Sequence, residues 1–234
     1  LLIIRVRSIL GSPKVVLTAD RTLMSPYRGI SLASFFGCAP AIDHNRSSGL
    51  WYWIFKNQVT PKILFDFICN PIGHQAGVAQ YAPYGLRKIE AGLIRDGYRK
   101  EDVVVAHPDY VDRFIGPETE VVGTYEMDPL GMGPVTMTFT YGRKHTSYDE
   151  FYCADLHRKI NEAKARTGSK AKVIAGASGT WQYNYDPKKI EEYGLYAIVE
   201  GELGGIAPEL DGVAGRFFDA IINGELDEAN PFKK

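Results

Sequence analysis

The chain has 234 residues and a mass of 26.0 kDa, with 45% hydrophobic and 24% charged residues, which is a globular composition and not that of a disordered tail. Its 27 Lys+Arg against 28 Asp+Glu leave a net charge of −1, so no basic excess is present to hold a phosphate backbone and nucleic-acid binding is not expected. Three cysteines, Cys38, Cys69 and Cys153, are too few for a disulfide framework, and without C-x-x-C spacing they cannot build a zinc ribbon or a self-contained iron–sulfur site.

The start, Leu1 to Arg7, is apolar but short and carries Arg5 and Arg7. It does not reach the ~20 apolar residues of a membrane span and lacks the layout of a signal peptide, so a cytoplasmic protein is expected. Val15–Ala19 reads as a buried strand, β-branched and bounded by Gly11-Ser12-Pro13 and Asp20. Residues 21–82 follow as a long connection. They contain Phe35-Phe36-Gly37-Cys38-Ala39-Pro40, Trp51-Tyr52-Trp53-Ile54-Phe55 and Ile63-Leu64-Phe65-Asp66-Phe67-Ile68. Such a segment is too apolar for a free linker and far longer than the usual ~2–6 residues between a strand and its helix. It is expected to pack with small helices of its own, as a lid over the ligand edge or as a docking face.

A helix is expected from Pro83 to Asp96, with Leu86, Ile89, Leu93 and Ile94 on one face and Gly97 as its stop. Strands are expected at 102–106 and 121–125, with a short turn segment, 109–115, between them. Ser147 to Arg166 reads as a second helix, because Ser147 and Glu150 have capping-box spacing and Tyr152, Leu156, Ile160 and Ala163 form a stripe. Strand 172–176, a short helix at 188–193, strand 196–200 and a last helix at about 208–223 complete the pattern. Continuous apolar strands alternating with helices predict a three-layer, doubly wound α/β fold with five parallel strands. Its core would be 14–20 and 83–224, with 21–82 as an insertion. Ligands of such folds sit beyond the carboxyl ends of the strands, so the loops leaving the strands hold the candidate site.

The first-strand turn, Thr18-Ala19-Asp20-Arg21-Thr22-Leu23, carries no glycine, which argues against a G-x-G-x-x-G dinucleotide site, and no P-loop is present. Glycines cluster instead in Gly176-Ala177-Ser178-Gly179, after the fourth strand, and in Gly201-Glu202-Leu203-Gly204-Gly205, after the fifth. There they let a bulky ligand approach the backbone, or they simply make tight turns. Asp20 and Arg21 leave the first strand, either to pair with each other or to meet a ligand. Glu126 and Asp128 leave the third strand as a carboxylate pair suited to acid–base work or a cation, unless Asp128 closes an Asx-type turn. His107, after the second strand, either caps a loop or faces the ligand edge. Asp155 and His157, in Asp155-Leu156-His157, read as solvated helix residues flanking the Leu156 stripe. Asp43-His44 and His74 are too far apart in sequence to fix a metal site.

Several blocks together resemble a known family. They are Leu17-Thr18-Ala19-Asp20-Arg21-Thr22-Leu23-Met24-Ser25, Ala82-Pro83-Tyr84-Gly85-Leu86-Arg87-Lys88-Ile89-Glu90-Ala91, Val105-Ala106-His107-Pro108, Met127-Asp128-Pro129-Leu130-Gly131-Met132-Gly133-Pro134, Gly176-Ala177-Ser178-Gly179-Thr180 and Ala197-Ile198-Val199-Glu200-Gly201-Glu202. Over about 14–224 they look like the N-terminal cobalamin-binding-type domain of radical S-adenosylmethionine (SAM) enzymes, in an archaeal-type branch. The resemblance implies cobalamin at the carboxyl edge of the sheet. Its nucleotide tail would lie along Gly176, Ala177, Ser178, Gly179 and Thr124, bordered by Gly201, Glu202, Gly204 and Gly205. The family's D-x-H-x-x-G histidine is missing from the first-strand turn, so cobalt without a histidine from this chain is expected. The C-x-x-x-C-x-x-C motif of a [4Fe-4S] cluster is also missing, so cluster, SAM and barrel would belong to a radical SAM catalytic domain in cis or in trans, of methyltransferase type. The alternatives are a cofactor-free domain that docks such a partner through 21–82, and a small-molecule enzyme using Glu126, Asp128 and His107.

Overall fold

The computed structural model describes residues 12–43, 48–50, 54, 57–200 and 212–225. Its strands are β1 (Val15–Ala19), β2 (Pro40–Asp43), β3 (His74–Gln75), β4 (Val78–Ala79), β5 (Val103–Val105), β6 (Val121–Tyr125), β7 (His145–Ser147), β8 (Lys172–Gly176) and β9 (Leu195–Val199). Its α-helices are α1 (Lys62–Ile68), α2 (Tyr84–Arg95), α3 (Pro134–Phe139), α4 (Tyr148–Thr167), α5 (Lys188–Glu192) and α6 (Val213–Asn223). The main sheet has the order β5-β1-β6-β8-β9, and every neighbouring pair is parallel. The doubly wound fold read from the sequence is therefore present. No described helix is long and apolar enough to cross a membrane.

The two faces of the sheet follow from strand geometry, in which successive side chains point to opposite sides. Val15, Leu17, Val103, Val105, Val121 and Ile174 face one layer, formed by Leu86 and Leu93 of α2 and Phe217, Phe218 and Ile221 of α6. Val16, Val104, Val122, Val173 and Ala175 face the other, formed by Val111 and Phe114 of a 3-10 turn and Leu156 and Ile160 of α4, with Tyr183 and Tyr193. Both faces are covered, so the strands carry no polar alternation. Each fully buried Leu or Phe contributes about 1.5–3 kcal/mol.

Local signals set the helix ends. Ser147 Oγ accepts a hydrogen bond from Glu150 N at 3.1 Å and caps α4, whose other end stops at Gly168 with φ +69°. α2 starts directly after Pro83, and Gly97 follows its end with φ +108°. The last helix is described only from Val213, so the expected start near 208 lies outside the described residues.

The 21–82 insertion builds a small core of its own. Tyr27, Ala33, Ala41, Phe65 and Cys69 pack with Tyr148 and Tyr152 from the first turns of α4. Phe65 and Tyr148 stack with ring centroids 3.6 Å apart. β2 pairs antiparallel with β7, and β3 with β4, two small sheets that the apolar pattern did not announce. The insertion is fastened over the ends of β1 and β5. Arg21 Nε donates to Cys69 O at 3.3 Å, Ser25 Oγ to Asn70 O at 2.8 Å, and His107 N to Gly77 O at 2.8 Å. The strand order reverses between β1 and β6, which makes that junction the topological switch point.

Candidate functional site

Beyond the ends of β6, β8 and β9 a pocket of about 550 Å³ opens between the sheet and helices α2 and α6. Leu17, Gly123, Ile174, Val199 and Phe218 line it, with Tyr84, Gly85, Leu86, Lys88 and Ile89 from α2 and Thr124, Tyr125, Gly176, Ala177 and Ser178 from the strand ends. That volume lies within the ~300–1,000 Å³ range of small-ligand sites. It is far too small for a whole cobalamin. The residues are there because β6 and β8 pair in register, with Thr124 opposite Ala175 and Tyr125 opposite Gly176. The turn after β8 therefore begins beside the end of β6.

Three glycines shape the pocket differently. A Cβ on Gly85 would collide with the Tyr125 ring, so close helix–strand packing requires that glycine. A Cβ on Gly176 would meet only Thr124 O and Val199 Cβ, each at 3.9 Å, an ordinary contact. Packing does not require Gly176; its missing side chain leaves pocket space. Ala177 holds φ +91°, a conformation costly for a residue with a Cβ, at the same turn.

Thr124, Gly176, Ala177 and Ser178 thus meet at one cavity. Gly179 does not line it: a Cβ there would strike the carbonyl of Met127, so this glycine serves the turn. Gly201, Glu202, Gly204 and Gly205 lie outside the described residues. No described residue of 21–82 lines the pocket. The insertion is tied to the ends of β1 and β5, whereas the pocket lies over β1, β6, β8 and β9.

The other expected site residues serve the protein itself. Asp20 is 4% exposed and turned into its own loop, accepting from Thr22 N at 2.7 Å and Thr22 Oγ1 at 2.5 Å. Burial raises its pKa to about 6, against the hydrogen bonds from Thr22. Arg21 does not pair with Asp20. Its guanidinium lies 3.6 Å from Asp66 and over the Tyr152 ring, tying the insertion to α4. Asp128 Oδ1 accepts from Gly133 N at 2.9 Å and Gln182 Nε2 at 2.6 Å, and Oδ2 accepts from Thr136 Oγ1. It is a structural carboxylate, but not through the expected Asx-type turn: Leu130 N donates to Gln182 Oε1, and Gly131 N closes the turn on the Asp128 backbone carbonyl. His107 caps the next segment by accepting from Asp109 N at Nδ1, 3.1 Å away, and burial lowers its pKa. Of the residues weighed for a metal, Asp43 faces His145, with 3.8 Å between Oδ1 and Nδ1; His74 packs on His107 and Tyr110; and His44 lies outside the described residues.

One expectation is overturned. His157 is not a solvated helix residue: it is 0% exposed, and its Nε2 donates to Glu126 Oε1 at 2.7 Å. Glu126, 1% exposed, also accepts from Thr124 Oγ1 at 2.6 Å and Tyr183 OH at 2.6 Å. Burial works against its charge, but the charge and hydrogen bond of His157, with the two hydroxyls, outweigh burial and hold its pKa below 4.5. The signal was in the sequence. His157 is four residues after Cys153 and three before Ile160, both buried, so the true stripe is wider than one line of i+4 positions. Asp155 does sit at the surface side, paired with Arg158 at 2.5 Å and Lys159 at 2.8 Å.

Glu126, Cys153 and His157 place one potential metal ligand each within 4.8 Å of one another. Bonds of about 2.0–2.1 Å in a tetrahedral zinc site would set neighbouring N and O ligand atoms about 3.3 Å apart. The 2.7 Å separation is a hydrogen bond, and three donors already satisfy the carboxylate. The hydrogen bonds on Glu126 make the cluster a core network, in which His157 Nδ1 is left without a hydrogen-bond partner.

No protein-family model, no curated protein and no solved structure matches this chain.

Proposed function

We propose that this chain is a cobalamin-binding cofactor domain working with a radical SAM catalytic unit of methyltransferase type, in cis or in trans. One observation carries the reading: the residues that the family resemblance allots to the nucleotide tail, Thr124, Gly176, Ala177 and Ser178, line one open pocket at the carboxyl edge of a parallel sheet. Gly176 supports it further, because a side chain would fit there without a clash and would occupy ligand space.

In this reading the pocket would hold the nucleotide tail of the cofactor. Gly176 and Ala177 admit the tail to the backbone, and Leu17, Ile174, Val199 and Phe218 keep water from its base. Bound cobalamin would supply a cobalt centre suited to methyl transfer. The turn after β1 offers no histidine, and neither His107 nor His157 lines the pocket, so a cobalt ligand from this chain is not expected. The [4Fe-4S] cluster and SAM belong to the catalytic unit, because Cys38, Cys69 and Cys153 are dispersed and burial raises all three thiols.

Anaerobic incubation with hydroxocobalamin, desalting and visible spectroscopy test the reading. Retained corrinoid absorbance is expected. A colourless chain that still co-purifies with a cluster-bearing protein would favour a second reading, a cofactor-free docking domain. The exposed Ile30, Leu32, Phe35, Ile63 and Phe67 of the insertion support that alternative.

A further inference from the structure

Three short helices adjoin in and beside the insertion: the 3-10 segment Ser31–Cys38 packs next to α1 and next to α3. Each turns apolar side chains to solvent. Leu32 and Phe35 come from the first, Ile63 and Phe67 from α1, and Phe139 from α3, and all are at least half exposed. A soluble surface normally shows such side chains singly, not gathered on neighbouring helices. Arg28 stands at their edge. Tyr27 and Arg28 hold φ of +44° and +55°, costly for residues with a Cβ, and Gly29 follows at +78°. Tyr27 is buried in the insertion core, and the turn leaves Arg28 outside it. The Arg28 guanidinium lies 4.0 Å from the Phe67 ring centroid, and its Nε donates to Phe67 O. The strained turn therefore fixes a cation against the apolar group.

The charges here have one dominant sign. Residues 21–82 hold five Lys or Arg against two Asp, and residues 134–147 hold two Lys or Arg and no acid, in a chain whose net charge is −1. Both Asp are engaged, Asp66 with Lys62 and Arg21, and Asp43 opposite His145. Arg28 and Lys144 remain as exposed cations with no acidic partner among the described residues. We propose that this face docks on an anionic lipid bilayer. Leu32, Phe35, Ile63, Phe67 and Phe139 enter the boundary between headgroups and acyl chains, and Arg28 and Lys144 stay at the phosphates. A second copy fits less well, because a two-fold contact would set like cations against each other. A protein partner normally meets a rim of mixed polar groups, whereas the charges left free on this face are cations. None of these residues lines the pocket, so the proposal stands apart from the corrinoid reading.

Flotation of the whole chain with vesicles tests this, using phosphatidylcholine alone and phosphatidylcholine mixed with phosphatidylglycerol. The chain should float with the mixed vesicles, far less with the neutral ones, and should be released as salt rises. Leu32→Ser and Ile63→Ser alter side chains that are 75% and 81% exposed, so their melting temperatures should hold. Each should weaken partitioning about tenfold, and Arg28→Gln and Lys144→Gln about fivefold. No flotation with either vesicle, equal flotation with both, or folded serine variants that float like the wild type would each overturn the proposal. So would a dimer that forms with rising concentration and is lost in the serine variants, because the face would then serve a second copy. Absence of vesicle binding, while the same variants abolish binding of a purified cluster-bearing protein, would hand the face to that partner instead.

Discussion

Glu126 Oε1 and His157 Nε2 lie 2.7 Å apart, joining the end of β6 to the middle of α4 across 31 residues of sequence. Both side chains are out of contact with water. Removing one partner leaves a buried polar or charged group alone, which costs about 3–5 kcal/mol. His157→Leu and Glu126→Leu are each expected to lower stability by that order in urea unfolding. The Glu126→Leu/His157→Leu pair should lose less than the sum, because no charge is stranded. Additive losses would show that the contact is not coupled.

The carboxylates at the edge oppose one another in their pH dependence. Burial raises Asp20 to about 6 and Asp149 to about 7 from 3.8. Folding therefore takes up protons between those values, and the stability associated with these two groups is greatest at low pH and is lost as pH rises through about 6–7. Glu126, held below 4.5, contributes stability present above that value and lost on acidification. Thermal melts should be highest near pH 4–5 and decline to a plateau above about pH 7, by a few kcal/mol. Asp149→Asn should flatten the alkaline decline; an unchanged slope would acquit Asp149.

Gly176 and Gly179 are three residues apart and should respond in opposite ways. Gly176→Val adds a β-branched side chain to a strand end with open space beside it, so the melting temperature should hold. Corrinoid binding should disappear, because the pocket is filled. Gly179→Ala drives a Cβ into the Met127 carbonyl and should cost about 1–3 kcal/mol. Loss of stability in the first variant, or none in the second, would reverse these roles.

Ser147 caps α4 at the point where β7 and the insertion meet. Ser147→Ala should cost about 1 kcal/mol, readable in chemical denaturation. Ser147→Asp should recover most of it, since a carboxylate also accepts from the first-turn N–H groups and suits the positive helix end.

Much of this fold was legible from the sequence, for identifiable reasons. Val15–Ala19, Val121–Tyr125 and Lys172–Gly176 are apolar along their whole length because both sheet faces are covered, and that pattern separates them from amphipathic segments. α4 declared itself through Ser147 and Gly168. The small sheets were hidden. β2 and β7 pair at a separation of about 100 residues, and nothing local in Pro40–Asp43 encodes such a partner. Thr124, Gly176, Ala177 and Ser178 meet because strand register brings their turns together, which the sequence order made visible. The burial of His157 is legible in its spacing to Cys153 and Ile160 on α4, whereas the Tyr193 ring stacked 4.6 Å away comes from a segment 36 residues later and leaves no local signal. Asp20 and Arg21 looked like ligand groups because strand-end loops usually point at the crevice. Here the insertion is tied to the ends of β1 and β5 and takes Arg21 for itself.

The central claim is that the β6–β8–β9 end of the sheet holds a corrinoid tail. Anaerobic hydroxocobalamin reconstitution of the wild-type chain beside Gly176→Val addresses it most directly, with bound corrinoid read per protein after desalting. Near-stoichiometric cobalamin on the wild type, and none on a variant that melts at the same temperature, is the predicted result. A wild-type chain that emerges colourless, or a variant that binds as well as the wild type, would contradict it.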